Sequence, residues 1–182
     1  MLRRASYRRE IDLRPSLRSR AYSAALRLML RTRITPDTDI GALRRQFAKL
    51  DARHVALDRG IVRTPVECNG VPAEWISVPE SRAERVLFYL HGGSFAFRFA
   101  NAHAALVARL CRRLHARALV PDYRLAPEHP WPAAPDDCHA AYRFLLAEGI
   151  APSDIVVAGD SAGGNLALVT LHRARAASEP MP

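Results

Sequence analysis

The sequence predicts an α/β fold in which an antiparallel hairpin precedes parallel strands flanked by helices. Three observations carry that reading. Asn69-Gly70 separates two strand-like segments, three later apolar runs are short enough to be strands buried on both faces, and helical periodicity fills the intervals between them. No internal repeat or low-complexity linker interrupts the pattern.

The first elements lie in a basic arm. Residues 1–33 hold 10 Arg against Glu10 and Asp12, a balance of +8, whereas the other 149 residues carry 17 basic and 16 acidic groups. The net charge of +9 therefore belongs to the arm, and nucleic-acid binding by the nearly neutral body is unsupported. Rich in Arg and Ser, the arm has the composition of an organellar transit peptide or a polyanion-binding tail. Helical spacing offers another account. Leu17, Ala21, Ala24 and Leu28 recur on one face, as do Ile40, Leu43, Phe47 and Leu50 after Thr35-Pro36-Asp37, a helix-start signal. Two amphipathic helices with Arg outward explain the arm without a nucleic-acid partner.

From Gly60 the period changes. Ile61–Cys68 and Val71–Val78 flank Asn69-Gly70, which suits a two-residue turn with positive φ at both central positions. Arg85–Leu90, Ala116–Asp122 and Asp154–Gly159 follow as strands. Helices are expected over roughly 102–115 and 135–148, and from Ser161 to about Ala177.

Composition bounds the class. With 182 residues, 49% hydrophobic and 25% charged, the chain matches one ordinary globular domain, which excludes disorder, collagen and disulfide scaffolds. Apolar stretches are broken by Arg every few positions, so no integral membrane association is expected. Cys68, Cys111 and Cys138 share no close spacing and indicate neither a disulfide framework nor a zinc site. Free thiols fit a reducing cytoplasm.

Three segments carry chemistry. Gly159-Asp160-Ser161-Ala162-Gly163 is a G-x-S-x-G pattern between an apolar strand and a helix start. A serine on such a tight turn takes an uncommon backbone conformation and projects its hydroxyl from the sheet edge, with the Ala162 amide free to face a developing oxyanion. The alternative is a structural Gly/Ser turn. His91-Gly92-Gly93-Ser94-Phe95 follows a strand, and its glycines expose amides that can approach a substrate carbonyl. The alternative there is a glycine-permitted turn braced by His91. Asp122–Ala134 has three prolines in six residues, Pro127, Pro130 and Pro132, and charged groups able to tie it down through ion pairs.

HGGS, DYRLAPEHPWPAA and GDSAGGN, in this order, resemble the hormone-sensitive-lipase-like carboxylesterases of the α/β-hydrolase superfamily, over about residues 60–177. The resemblance implies an incomplete α/β-hydrolase sheet with N-terminal cap helices. It divides the chain into 1–58, arm and cap helices, and 59–182, the N-terminal part of a catalytic domain. It also implies hydrolysis of small acyl esters through an acyl-enzyme, with no metal or organic cofactor. Ser161 matches the nucleophile, and Gly93, Ser94 and Ala162 match the oxyanion-hole donors, supported by Gly92. Ser94 stands where the family usually has a third glycine.

A serine hydroxyl needs a base, and the base an orienting acid. In α/β-hydrolases both follow the serine in the chain. The 21 residues after Ser161 contain one histidine, His172, and one acid, Glu179. Eleven residues along the same helix place His172 on the order of 16 Å away, out of reach. His91 and His129 sit in the motifs with other roles, and His54, His103, His115 and His139 fall on or beside helices. Asp160 is expected to point away around the turn.

The leading expectation is therefore the N-terminal portion of a carboxylesterase, with acid and base beyond residue 182 and doubtful activity for this polypeptide alone. Alternatives are a degenerate or non-catalytic small-molecule-binding member of the same fold, and an Arg-rich surface binder resting on residues 1–33. The last strand is expected to leave an apolar edge uncovered, causing poor solubility or a homodimer.

Overall fold

The computed structural model describes residues 15–29 and 38–182. The chain divides into two compact units, Met1–Thr38 and Asp39–Pro182. Residues 1–14 and 30–37, including most of the basic arm and Thr35-Pro36-Asp37, lie outside the described residues.

In the first unit, α1 spans Leu17–Met29. The helix forms where its spacing predicts, but Leu17, Ala21 and Ala24 are exposed and no apolar face is covered over residues 15–24. Helical periodicity reports which side chains share a face. It does not supply a surface for that face to meet.

The second unit opens with α2 (Ile40–His54), capped by Asp39, whose side chain accepts from the Ala42 amide at 2.8 Å. This helix falls in the same unit as the sheet. Ile40, Leu43 and Phe47 are partly buried as their spacing suggests. Leu50 is exposed, and Asp51 turns inward in its place. Its carboxylate accepts from the amides of Asn101 and Ala102 at 2.7 and 3.0 Å.

Then come β1 (Val62–Cys68), β2 (Val71–Ser77), β3 (Arg82–Leu90), α3 (Ala100–Leu114), β4 (Ala116–Pro121), α4 (Ala133–Ala147), a short 3-10 turn, β5 (Ile155–Gly159) and α5 (Ala162–Ala176). Asn69 and Gly70 both take positive φ, 54° and 85°, so the hairpin turn forms as its dipeptide dictates. Strand β3 begins at Arg82, earlier than its apolar run. Residues 82–85 are exposed and carry no hydrophobic signal.

The sheet is mixed and unclosed, in the order β1-β2-β4-β3-β5, with antiparallel β1-β2 and β2-β4 and parallel β4-β3 and β3-β5 pairs. Alternation along β3 separates two cores. Val86, Phe88 and Leu90 face α4 and α5, packing with Tyr142, Leu145 and Leu166, while Leu87 and Tyr89 face α3 through Val107, Ala108 and Cys111. Because α3 leaves β3 on one face and α5 leaves β5 on the other, a crevice opens above the carboxyl ends of these paired strands. The last pair in their register is Leu90 and Gly159.

Candidate active site

Both loops that border the crevice grow from that pair. On one side Ser161 joins β5 to α5 with φ 51° and ψ −119°, a combination L-residues rarely adopt, and it is exposed. The turn is possible because its glycines permit close approach. A Cβ on Gly163 would lie 1.9 Å from the Leu90 carbonyl oxygen, and one on Gly159 would lie 2.4 Å from Gly163 backbone atoms. The start of α5 therefore rests directly on β3.

On the other side, Gly93, Ser94 and Phe95 all take positive φ, at 123°, 55° and 58°. The Gly93 carbonyl accepts from the Ala96 and Phe97 amides at 3.0 and 2.8 Å, folding the loop back on itself. Asp160 joins the two loops. Its Oδ1 accepts from the Gly92 amide and the Tyr89 hydroxyl, each at 2.8 Å. Gly92 thus braces the loop, its amide already occupied. Among the described residues, the amides of Gly93, Ser94 and Ala162 make no hydrogen bond to protein. Asp160 thus points at the neighbouring loop rather than at the Ser161 hydroxyl.

His91 is fully buried, stacked on Tyr123 at 4.2 Å between ring centroids and on His103 at 5.2 Å. Its Nδ1 donates to the Gly92 carbonyl at 2.9 Å, and the Tyr123 hydroxyl donates to the His91 carbonyl at 2.6 Å. Burial lowers its pKa to about 4, keeping the ring neutral at pH 7. His103 is also lowered by burial, and its Nε2 lies 4.0 Å from Asp160. That carboxylate is committed to Gly92 and Tyr89. Elsewhere His139 pairs with Glu179 at 2.8 Å, His54 contacts the Leu50 carbonyl, His115 ends α3, and His172 is exposed on α5. Among the described residues no base is hydrogen-bonded to the Ser161 hydroxyl.

The proline-rich loop is held by the ion pairs its charges suggested: Asp122 with Arg98 at 2.7 Å, Arg124 with buried Asp137 at 2.8 Å, and Glu128 with Arg44 at 2.8 Å. Arg98 also binds Glu74 at 2.6 Å, which ties the site loops to β2. Between this loop and the crevice lies a cleft of about 340 Å³, walled by Ser94 and Phe95, by Trp131 and Ala134, and by Asn165 and Val169 of α5. Asn165 and Val169 stand four residues apart on one stripe of α5, the helix that Ser161 precedes. Among the described residues, no cluster of His, Cys, Asp or Glu could hold a metal ion. Burial raises the Cys68 and Cys111 thiols to about 11, which keeps them protonated.

A family model described as alpha/beta hydrolase fold matches residues 87–182, more than half of the chain. The chain belongs to the α/β-hydrolase fold family. Within that family it is similar to a carboxylesterase/phospholipase, LipF, of Mycobacterium tuberculosis, 36% identical over an alignment of 165 residues that covers 87% of this chain and 44% of the relative. A solved esterase of the bacterial hormone-sensitive lipase family superposes with a TM-score of 0.75 at 41% identity, covering 82% of this chain and 50% of that one. The esterase EstE5, solved after soaking with p-nitrophenyl butyrate, gives 0.75 at 38% identity, covering 87% and 54%. This α/β-hydrolase chain thus spans about half the length of these relatives. No helix among the described residues is long and apolar enough to cross a membrane.

Sequence reasoning missed Tyr123, Asp51 and Arg44. Tyr123 lies inside a recognised motif, so that motif was its available signal. Asp51 and Arg44 act on partners about 50 to 80 residues away, and nothing local marks them.

Proposed function

We propose that this chain is the nucleophile-bearing part of a serine carboxylesterase acting on small acyl esters, with acid and base supplied by sequence C-terminal to residue 182. The observation that carries the proposal is Ser161, held exposed at φ 51° beside the unpaired amides of Gly93, Ser94 and Ala162. In this reading the Ser161 oxygen attacks the ester carbonyl carbon, and a base takes the hydroxyl proton. Negative charge forming on the carbonyl oxygen falls to the three amides, with the α5 N-terminus adding its positive dipole end. The alcohol leaves with the proton, and water then releases the acid from the acyl-enzyme. The cleft beyond Asn165 receives an apolar part of the ester. Buried free cysteines suit a reducing cytoplasm.

One observation favours a second reading, non-catalytic binding of a small molecule in the cleft: among the described residues no base is hydrogen-bonded to Ser161. A single experiment separates the two. The 182-residue chain should hydrolyse p-nitrophenyl butyrate no faster than its Ser161→Ala variant and should resist fluorophosphonate labelling. Extending the reading frame past codon 182 to include a later Asp and His should create Ser161-dependent turnover. Turnover by the short chain would place a base within it, and an inactive extended chain that binds ester in the cleft would favour the binding protein.

A further inference from the structure

Arg44, in the second turn of α2, is hydrogen-bonded to both walls of the cleft at once. Its Nε donates to the Ala96 carbonyl at 2.6 Å, its Nη1 pairs with Glu128 at 2.8 Å, and its Nη2 donates to the Ala126 carbonyl. Ala96 lies two residues beyond Ser94, in the loop whose amides are free. Ala126 and Glu128 lead into Trp131, on the facing wall. The two loops are joined directly by the Ala126 amide donating to the Phe95 carbonyl at 2.8 Å. One turn further along α2, Phe47 sets its ring against Phe97 and Phe99 at centroid distances of 5.4 and 5.8 Å. A helix outside the sheet therefore grips the loop at two points.

The physical need for that grip is local. Ser94 and Phe95 hold successive left-handed conformations without being glycine, and such residues persist only where surroundings over-determine them. A planar guanidinium has donors fixed in a fork and can fix the relative position of two carbonyls, which an ammonium point charge cannot do. The Arg44 side chain is about one-quarter exposed, with Glu128 half exposed, so the ion pair is the weaker part. The partly buried carbonyl contacts are the stronger, since each is a charge-assisted bond.

We propose that Arg44 is a positioning residue that sets the distance between the Ser94–Phe95 wall and the Ala126–Trp131 wall, and with it the aim of the Gly93 and Ser94 amides. Its catalytic consequence rests on the esterase reading. Its effect on the loops does not.

Hydrogen–deuterium exchange of the 182-residue chain tests the loop effect. In Arg44→Met, protected amides in segments 92–99 and 124–131 should exchange about tenfold faster, while the β1–β2 hairpin is unchanged. Arg44→Lys should fall between Met and wild type. In Arg44→Ala, guanidinium ion at low millimolar concentration should restore protection in both segments, and urea at the same concentration should not. Acceleration spread equally to the hairpin, unchanged loops, or absence of rescue would each overturn the proposal. In the extended, active enzyme, Arg44→Met should lower kcat by about tenfold or more with KM within about twofold. An active wild type with an unaffected variant refutes the catalytic role of Arg44, whereas an inactive wild type refutes the esterase reading and leaves the exchange result standing.

Discussion

Asp160 and Gly92 hold the two loops of the crevice together through a 2.8 Å hydrogen bond from the Gly92 amide to the Asp160 carboxylate. They fit because Gly92 lacks a side chain: a Cβ there would lie 2.2 Å from Asp160 Oδ2 and 2.8 Å from the Asp160 carbonyl oxygen. The residue before Ser161 and the glycine after His91 are thus one structural unit. Removing the carboxylate should release it. Asp160→Ala is expected to lower unfolding free energy by about 1–2 kcal/mol in urea melts, the side chain being partly exposed. Asp160→Asn, which keeps an acceptor, should lose less. Equal losses for the two variants would refute the bond as the cause.

The two glycines following Ala162 should behave oppositely. Gly163→Ala drives a methyl into the Leu90 and His91 carbonyls, backbone atoms that cannot rotate away, and should cost about 3 kcal/mol. At Gly164 the nearest atom to an added Cβ is the Gly159 carbonyl oxygen at 3.4 Å. Gly164→Ala should therefore be neutral or stabilising by up to about 1 kcal/mol, since alanine favours helix. Denaturant midpoints of the two variants check the contrast.

His91 makes stability depend on pH. Its pKa falls from an ordinary 6.5 to about 4 on burial, so between these values the unfolded chain binds more protons than the native one. The stabilisation is complete above pH 6.5 and is lost as pH falls toward 4, amounting to on the order of 3 kcal/mol. His103 and Arg98 oppose protonation of the ring, and Asp122 favours it, but desolvation leads. Urea melts of His91→Gln should show a shallower fall across this window. An unchanged slope would remove His91 from the account.

Strand β5 has no neighbour on its outer side among the described residues, and Val156 is half exposed there. An apolar, unpaired strand edge is a template for another chain. The 182-residue polypeptide should self-associate at micromolar concentrations in sedimentation velocity, and Val156→Lys should shift it toward monomer. A monodisperse wild-type monomer would refute edge pairing.

What the sequence disclosed follows the range of the interactions. Asn69-Gly70 demands its turn from two residues, and the apolar run of β3, buried on both faces, is complete within five positions. Gly159 to Gly163 announces a cramped strand-to-helix junction for the same reason. Other features depend on contacts distant in the chain. Leu50 has the right spacing for burial, but Asp51 turns inward because α3 presents free amides there. Residues 82–85 form strand because β4 and the preceding turn place them, without any apolar pattern. The grip of Arg44 spans up to 84 residues and is invisible to any window.

The contact from Asp51 to α3 also bears on where this protein can be cut. Phe99, at the N-cap of α3, offers no capping side chain, so the start of that helix is completed by a carboxylate from α2. A deletion that begins the polypeptide at residue 59 would remove Arg44, Phe47 and Asp51 together. It would leave a shorter protein with a complete strand order, a frayed helix, and a loop beside Ser161 stripped of its contacts with α2.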